Sequence, residues 1–391
     1  MTIGSFIWVA VQFIIGFHLV FPVLLLCIFG IVKVFSRYKP AVAVNEADYA
    51  IIVTAYEQTD LLPSVVDSIL KLNYSNYLIY IVADKCDISN LKFDTNKVIL
   101  LRPEKTIASN VGSHFYAIER FVRQHERLTI IDSDNLVDPE YLNELNRYFD
   151  RGYNAVQGVR EAKNLNTTYA CLDAARDKYY HYYDGKLLYG IGSSATLAGS
   201  GMAFTTQLYK ACLEGSPVKG AGFDKVLQYK ILEKGERIAF AEKAIVYDEK
   251  TSKPDQLVKQ RARWINTWFK YFSLGFKLTM RGLVKANWNQ VAFGVVLLRP
   301  PLFIFLLLSV GFLFINVLVA PAAAMIWVFG FTVFLTGFFI SLLVSETDQA
   351  IYRSLRGIPK FMFLQVVSLV KARKANQYSV ATRHSVIQDN Q

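Results

Sequence analysis

Three apolar runs constrain this chain more than anything else in it. Residues 6–34, 301–319 and 324–345 approach or exceed the roughly 20 residues that a membrane-spanning helix needs. Pro321 lies between the second and third, where a tight turn is required. With 53% hydrophobic residues and a mean hydropathy of +0.25, the chain is too apolar for an ordinary soluble enzyme, so part of it is expected in lipid. No basic residue precedes the first run, whereas Lys33, Arg37 and Lys39 follow it. That polarity is wrong for a cleaved signal peptide, and the positive-inside bias puts the N-terminus outside and the rest of the chain after Lys33 in the cytoplasm. Three crossings return the chain to that side, where Arg353, Arg356, Lys360, Lys371, Arg373 and Lys374 belong. The net charge of +11 thus reads as flanks facing anionic headgroups, and no nucleic-acid partner is expected.

Other membrane contacts follow from the same logic. Residues 361–370 are too short to span but have basic residues on both sides, so they read as an interfacial helix, and the stretch 267–278 suits a similar place. Arg299, Pro300 and Pro301 break the helical pattern and suggest a kinked or re-entrant approach to the second span. The expected organisation is a first membrane helix in 1–40, a cytoplasmic domain in 46–270, interfacial helices in 271–298, two membrane helices in 299–348, and an interfacial helix with a basic tail in 349–391. Cys27, Cys86, Cys171 and Cys212 have no CxxC spacing and read as small hydrophobes in a reducing compartment.

The cytoplasmic segment alternates short apolar runs with helix-like stretches: "YAIIVTAY" at 49–56, "LLPSVVDSILKL", "LIYIVAD" at 78–84, "KVILLRP", a helix-like 107–124, and "RLTIIDSD". That alternation predicts an α/β domain with a largely parallel sheet, its ligands at the carboxyl ends of the strands. Those ends carry Tyr56 and Glu57, then Asp84, then Asp132 and Asp134. Two carboxylates one residue apart repel unless a positive charge lies between them, and a metal ion is the simplest such charge.

The motifs "IIVTAYEQ", "IVAD", "DSDN" before "VDP", "GSGMAF" at 199–204, "GFDKVLQYKILEKGERIAF" at 222–240 and "QRARW" at 260–264 occur in the order seen in membrane-bound family 2 glycosyltransferases. Over residues 48–270 the chain resembles the group that includes cellulose, chitin and hyaluronan synthases and ceramide glucosyltransferases; the pairing of DxD with a downstream QxxRW is its most specific part. The resemblance implies a GT-A, Rossmann-like fold. It implies that Asp132 and Asp134 hold a divalent metal, Mg or Mn, on the diphosphate of a nucleotide sugar, and that Asp84 contacts the nucleotide near the uracil and ribose with Glu57 close by. Asp-x-Asp is also common in turns, and Asp84 is followed by Lys85 and Cys86 where many members carry a second Asp and a Gly-Ser.

Asp224 matches the position of the family's general base, which takes the acceptor's proton as its oxygen attacks from the side opposite the diphosphate and inverts the anomeric centre. The preceding position, often acidic in the family, is Phe223; an apolar neighbour would raise the carboxyl's pKa, or the aspartate could be a helix cap. Gln260, Arg263 and Trp264, at i, i+3 and i+4, share a helix face. The resemblance makes Trp264 and Gln260 an acceptor wall and gives Arg263 to the nucleotide sugar. Gly199 and Gly201 fit a loop where backbone meets the acceptor, and Thr382 and His384 are reminiscent of a segment that closes over the nucleotide.

The chain is therefore expected to be an inverting, metal-dependent glycosyltransferase of the inner membrane, catalytic domain in the cytoplasm, using a nucleotide sugar, UDP-linked by the resemblance. Its acceptor is first read as a growing polysaccharide chain, with a homo-oligomer or channel-forming partner completing the route out, because three spans are few for a channel. A single transfer to a lipid acceptor is the rival, and a non-catalytic nucleotide-sugar-binding scaffold is the third reading.

Overall fold

The computed structural model describes residues 3–35, 46–93, 95–216, 218 and 221–375; Thr382 and His384 lie outside them. Eight strands form one sheet: β1 (Tyr49–Tyr56), β2 (Tyr77–Asp84), β3 (Val98–Leu101), β4 (Arg127–Asp132), β5 (Leu136–Val137), β6 (Ala155–Ala162), β7 (Met202–Thr205) and β8 (Ile238–Asp248). Their order is β3-β2-β1-β4-β7-β6-β8-β5. β1 and β2 are apolar on both faces and buried on both, as strands covered by helices on each side must be. One core is closed by the helices Leu62–Leu70 and Tyr141–Phe149, through Leu62, Val66, Tyr141 and Leu145. The other is closed by Asn110–Ile118, Thr206–Leu213 and Phe223–Glu233. Phe21 and Leu25 of the first apolar helix pack into that second core.

Register places the polar strand ends. Tyr56 pairs with Asp84 and Thr54 with Asp132 in parallel ladders, so β1, β2 and β4 end level on one edge of the sheet. The sheet is mixed rather than largely parallel: β7 runs antiparallel to β4 and β6, and β5 antiparallel to β8. The helix expected over 107–124 is confined to Asn110–Ile118; Ser109 caps it, its side chain accepting from the Gly112 amide.

Among the described residues three helices are long and apolar enough to cross a membrane: Ile3–Phe35, Leu302–Val319 and Pro321–Val344. They pack on one another through Ile15, Leu19, Phe305, Trp327 and Phe334, joined by Tyr179, Tyr182 and Tyr183 from the α/β domain. Gln12 Oε1 ties them by accepting from Asn316 Nδ2 (2.5 Å) and Trp327 Nε1 (3.0 Å), the kind of polar contact that holds helices together where lipid offers none. Ahead of the second apolar helix run the helices Pro254–Tyr271, Ser273–Val284 and Trp288–Leu298, the last ending at the break Arg299–Pro301. The helix Ile358–Lys371 lies against Pro254–Tyr271: Ile265 is buried with Phe303 and Ala372 beside Met362 and Leu369, and Asn266 Nδ2 donates to the Ala372 carbonyl (2.9 Å).

Candidate active site

A cavity of about 610 Å³ opens at the carboxyl edge of the sheet, and its lining gathers most of the residues singled out from sequence: Asp132, Asp134, Gly199, Asp224, Gln260, Arg263 and Trp264. Asp132 closes β4, and Asp134 follows two residues later, 8% exposed. Ser200 Oγ accepts from the Asp132 amide and from Asn135 Nδ2, both at 3.1 Å, so the 199–201 loop and the two-aspartate turn are fixed to each other. Gln157, wholly buried, holds that loop from behind: Nε2 donates to the Ser200 and Gly201 carbonyls, and Oε1 accepts from the Ala198 amide. Asp138 lies away from the lining; its Oδ1 accepts from the Glu140 amide (2.9 Å) ahead of the next helix.

The charge that the aspartates need is partly supplied by the protein. Arg160, at the end of β6, donates to the Ala198 carbonyl (2.7 Å) and to Asp248 Oδ2 (2.6 Å). Burial works against charge on Arg160, but Asp248, Asp177, Asp132 and Asp134 outweigh it, and its pKa rises above the usual guanidinium value. Nothing in the sequence around Arg160 marked it.

Asp224 lies in the first turn of the helix Phe223–Glu233, with Lys225 Nζ 3.4 Å from its Oδ2. It is not the cap residue; Gly222 is, at φ +95°. Phe223 turns into the core, edge-on to His114 with ring centres 5.2 Å apart. The apolar neighbour expected beside the carboxyl is therefore replaced by a lysine, because helical geometry sends successive side chains to different faces. Across the cavity, burial pulls the pKa of Arg263 below its usual value, though a guanidinium stays charged at neutral pH. Gln260 Oε1 accepts from Thr251 Oγ1 (3.3 Å).

Three expected residues do not join the lining. Asp84, 2% exposed, spends its carboxylate on the loop beside it, accepting from the Ile107 (3.0 Å) and Ala108 (2.6 Å) amides. Glu57 points to solvent and pairs with Lys85 Nζ at 2.7 Å; the end of β1 instead presents Tyr56 and Gln58. Gly201 sits behind the loop, at φ +65°, where a Cβ would stand 2.8 Å from Val246 Cγ2; of the two glycines Gly199 lines the space.

The helix Thr168–Tyr180 and the π-helical turn His181–Leu187 supply a part of the wall that sequence reasoning missed. Arg176, Asp177, Tyr180, His181 and Asp184 all line the cavity. Asp177 accepts from Lys250 Nζ (2.5 Å) and Arg176 Nη2 (2.5 Å), and Lys250 also bonds Asp248 (2.8 Å). Asp184 pairs with Arg299, the residue before Pro300 and Pro301. Burial pushes His181 down to about 4, so the imidazole is neutral near pH 7. The available signal was spacing: residues 173, 176, 177, 180 and 184 fall on one helical face, where an uncharged stripe would be expected if that face were simply core.

The family described as "Glycosyltransferase like family 2" matches residues 47–267. Among solved structures, the mannosyltransferase PcManGT from Pyrobaculum calidifontis, in complex with GDP-Man and Mn2+, is similar at a TM-score of 0.53 and 15% identity, covering 93% of this chain and 98% of that one. Residues 1–349 of TarS from S. aureus match at a TM-score of 0.38 and 11% identity, over 63% of this chain and 90% of that one. No curated protein matches the chain in sequence. The family match spans the whole sheet and the helix that carries Gln260, Arg263 and Trp264, and with it the chain belongs to the glycosyltransferase family 2-like enzymes: a GT-A-like glycosyltransferase that draws its sugar from a nucleotide-sugar donor.

Proposed function

We propose that the protein transfers one sugar, with inversion, from a nucleotide sugar to a hydroxyl carried by a membrane-seated lipid. One observation carries the acceptor reading. The cavity lined by Asp132, Asp134, Asp224 and Trp264 is also lined by the apolar residues Phe272 and Leu274 and by Leu297, Pro300 and Pro301, the last three leading directly into the apolar helix Leu302–Val319. A growing polysaccharide, the acceptor that the QxxRW resemblance favours first, needs a route across the bilayer, whereas the centre of the three-helix packing is filled by Leu19, Phe305, Trp327 and Phe334.

In this reading Asp224 takes the proton of the acceptor hydroxyl, Arg263 holds the leaving diphosphate, and Gln260 and Trp264 seat the acceptor. Asp84 and Glu57 act on the nucleotide side by shaping the loops beyond β1 and β2. Among the described residues no group of three His, Cys, Asp or Glu side chains could hold a metal ion. Asp132 and Asp134 alone fit a hard cation whose other positions are taken by diphosphate oxygens and water, the usual manner of Mg and Mn in phosphate sites. Such an ion would neutralise charge on the departing diphosphate. The basic residues flanking the apolar helices support a cytoplasmic active face with the N-terminus outside.

The test is direct. Purified protein in lipid discs is given Mn2+, a membrane lipid extract and labelled UDP- and GDP-sugars in turn. An organic-soluble product of one added sugar is expected, while a long glycosidase-sensitive chain would overturn the lipid reading. Asp224→Asn should lower transfer by about 10² to 10⁴-fold, with nucleotide binding little changed.

A further inference from the structure

Trp264 is held in place by residues other than the Gln, Arg and Trp that define QxxRW. Two guanidinium groups lie over its ring, that of Arg261 4.0 Å from the ring centre and that of Arg176 4.4 Å. Arg261 neighbours Trp264 in the chain region but turns away from the cavity, and its side chain is 3% exposed. Both guanidiniums end on the same carboxylate: Arg261 Nη2 pairs with Asp173, and Arg176 Nη2 lies 3.1 Å from the same Oδ1. Asp173 is itself 4% exposed in side chain and belongs to the helix Thr168–Tyr180, whereas Arg261 belongs to Pro254–Tyr271. Trp264, 37% exposed, presents the rest of its side chain to the cavity.

We infer that Asp173, Arg176 and Arg261 form a clamp that fixes the plane of the Trp264 indole and so sets the shape of the acceptor subsite. The inference rests on the proposal that Trp264 seats the acceptor. A guanidinium held over an aromatic ring is attracted by the ring's electron-rich face, and it directs the ring only if it is itself held. One buried carboxylate bonded to both guanidiniums provides that hold, and it does so from a different helix. The indole therefore registers the position of Thr168–Tyr180 relative to Pro254–Tyr271. Asp173, Arg176 and Arg261 are positioning residues: they act through Trp264 rather than on the reacting atoms.

Fluorine spectroscopy tests this on the full chain without needing the acceptor. Protein grown with 5-fluorotryptophan in detergent micelles carries five labels, and Trp264→Phe identifies the resonance of Trp264. Arg176→Lys and Arg261→Lys keep the charge on Asp173 but lose the planar group. Each is expected to shift the Trp264 resonance by more than its linewidth, while Trp8, Trp288 and Trp327 keep theirs and affinity for UDP or GDP with Mn2+ stays within about twofold. Transfer to the lipid extract should fall roughly tenfold or more, as small misplacements of a positioning group do. An unmoved Trp264 resonance in both variants overturns the clamp. A general shift of all five resonances overturns it too, in favour of a purely structural ion cluster. If instead Trp264→Ala transfers normally, the acceptor role of Trp264 falls, whatever the spectra report about its ring.

Discussion

Gly222 decides where Asp224 stands. At φ +95° it occupies a conformation that side chains rarely adopt, and a Cβ there would lie 2.5 Å from Thr267 Cγ2 and 2.8 Å from the Tyr271 ring. The start of the helix Phe223–Glu233 thus presses on the end of Pro254–Tyr271, which brings Asp224 to the same cavity as Gln260, Arg263 and Trp264. Backbone strain of this kind costs about 1–3 kcal/mol for a residue other than glycine, and the clash adds to it. Gly222→Ala is expected to destabilise the protein by at least about 1 kcal/mol and to lower transfer more than nucleotide binding. Thermal melts in detergent, set beside nucleotide titrations, check both. Equal stability would mean that the two helices do not meet so closely.

The helix Thr168–Tyr180 with its π-helical continuation is the element that sequence reasoning left unread. A π turn inside a helix often marks a functional site, and here it brings His181, Asp184 and Gly185 to the cavity. β1, β2 and β4 were legible because continuous apolar runs ended in Glu57, Asp84 and Asp132, whereas β5 to β8 carried no such signal and were not read; the two-aspartate turn and the Gln260–Trp264 face were legible because their spacing is local. Asp173, Asp177, Arg160, Asp248 and Lys250 were not, because their partners lie far along the chain: Lys250 meets Asp177 across 73 residues and Arg261 meets Asp173 across 88. Only folding brings such charges together. The partners of Asp84 were hidden for a related reason, since the amides of Ile107 and Ala108 that bond it come from another loop.

That buried cluster gives stability a definite pH dependence. Burial pushes Asp177 up, but Lys250 and Arg176 outweigh it and hold its carboxyl well below the usual 3.8; Arg160 and Lys250 do the same for Asp248. A carboxyl with a depressed native pKa binds fewer protons folded than unfolded, so its contribution is complete above the unfolded value and is lost as pH falls below it. Asp173 has the opposite sign. Burial raises it to about 6 against the pull of Arg176 and Lys250 and with Asp177 and Asp248 adding to the rise, so its contribution declines as pH climbs from 3.8 to about 6. Melting temperature in detergent is therefore expected to change modestly between about pH 4 and 6 and to drop steeply below about pH 4. Lys250→Met leaves Asp177 and Asp248 short of a cation, should cost about 3–5 kcal/mol near neutral pH, and should flatten the acid drop. An unchanged acid limb in that variant would place the depressed carboxyls elsewhere.

At the scale of the molecule, the helix that carries Trp264 packs against an element whose outer face suits a membrane surface. Ile358–Lys371 packs one side on Pro254–Tyr271 through Met362 and Leu369, and leaves Phe363 (65% exposed) and Val370 (79%) uncovered with Val366 between them. Arg353, Arg356, Lys360, Lys371 and Arg373 are all exposed, and no acidic residue occurs from 349 to 375. An apolar stripe with a basic rim, following the apolar helix Pro321–Val344, suits an anionic lipid surface. Each cation near such a surface contributes about 1 kcal/mol, and the effect fades with salt. In lipid discs with anionic phosphatidylglycerol, amides of 358–371 are expected to exchange at least about tenfold more slowly than in neutral phosphatidylcholine discs, a difference that high salt reduces. Gln at Arg356, Lys360, Lys371 and Arg373 together should bring the two discs level. Because Ile265 and Asn266 share contacts with this helix, exchange in 260–268 should follow the same order; protection confined to 358–371 would mean that the membrane holds the helix without steadying Trp264.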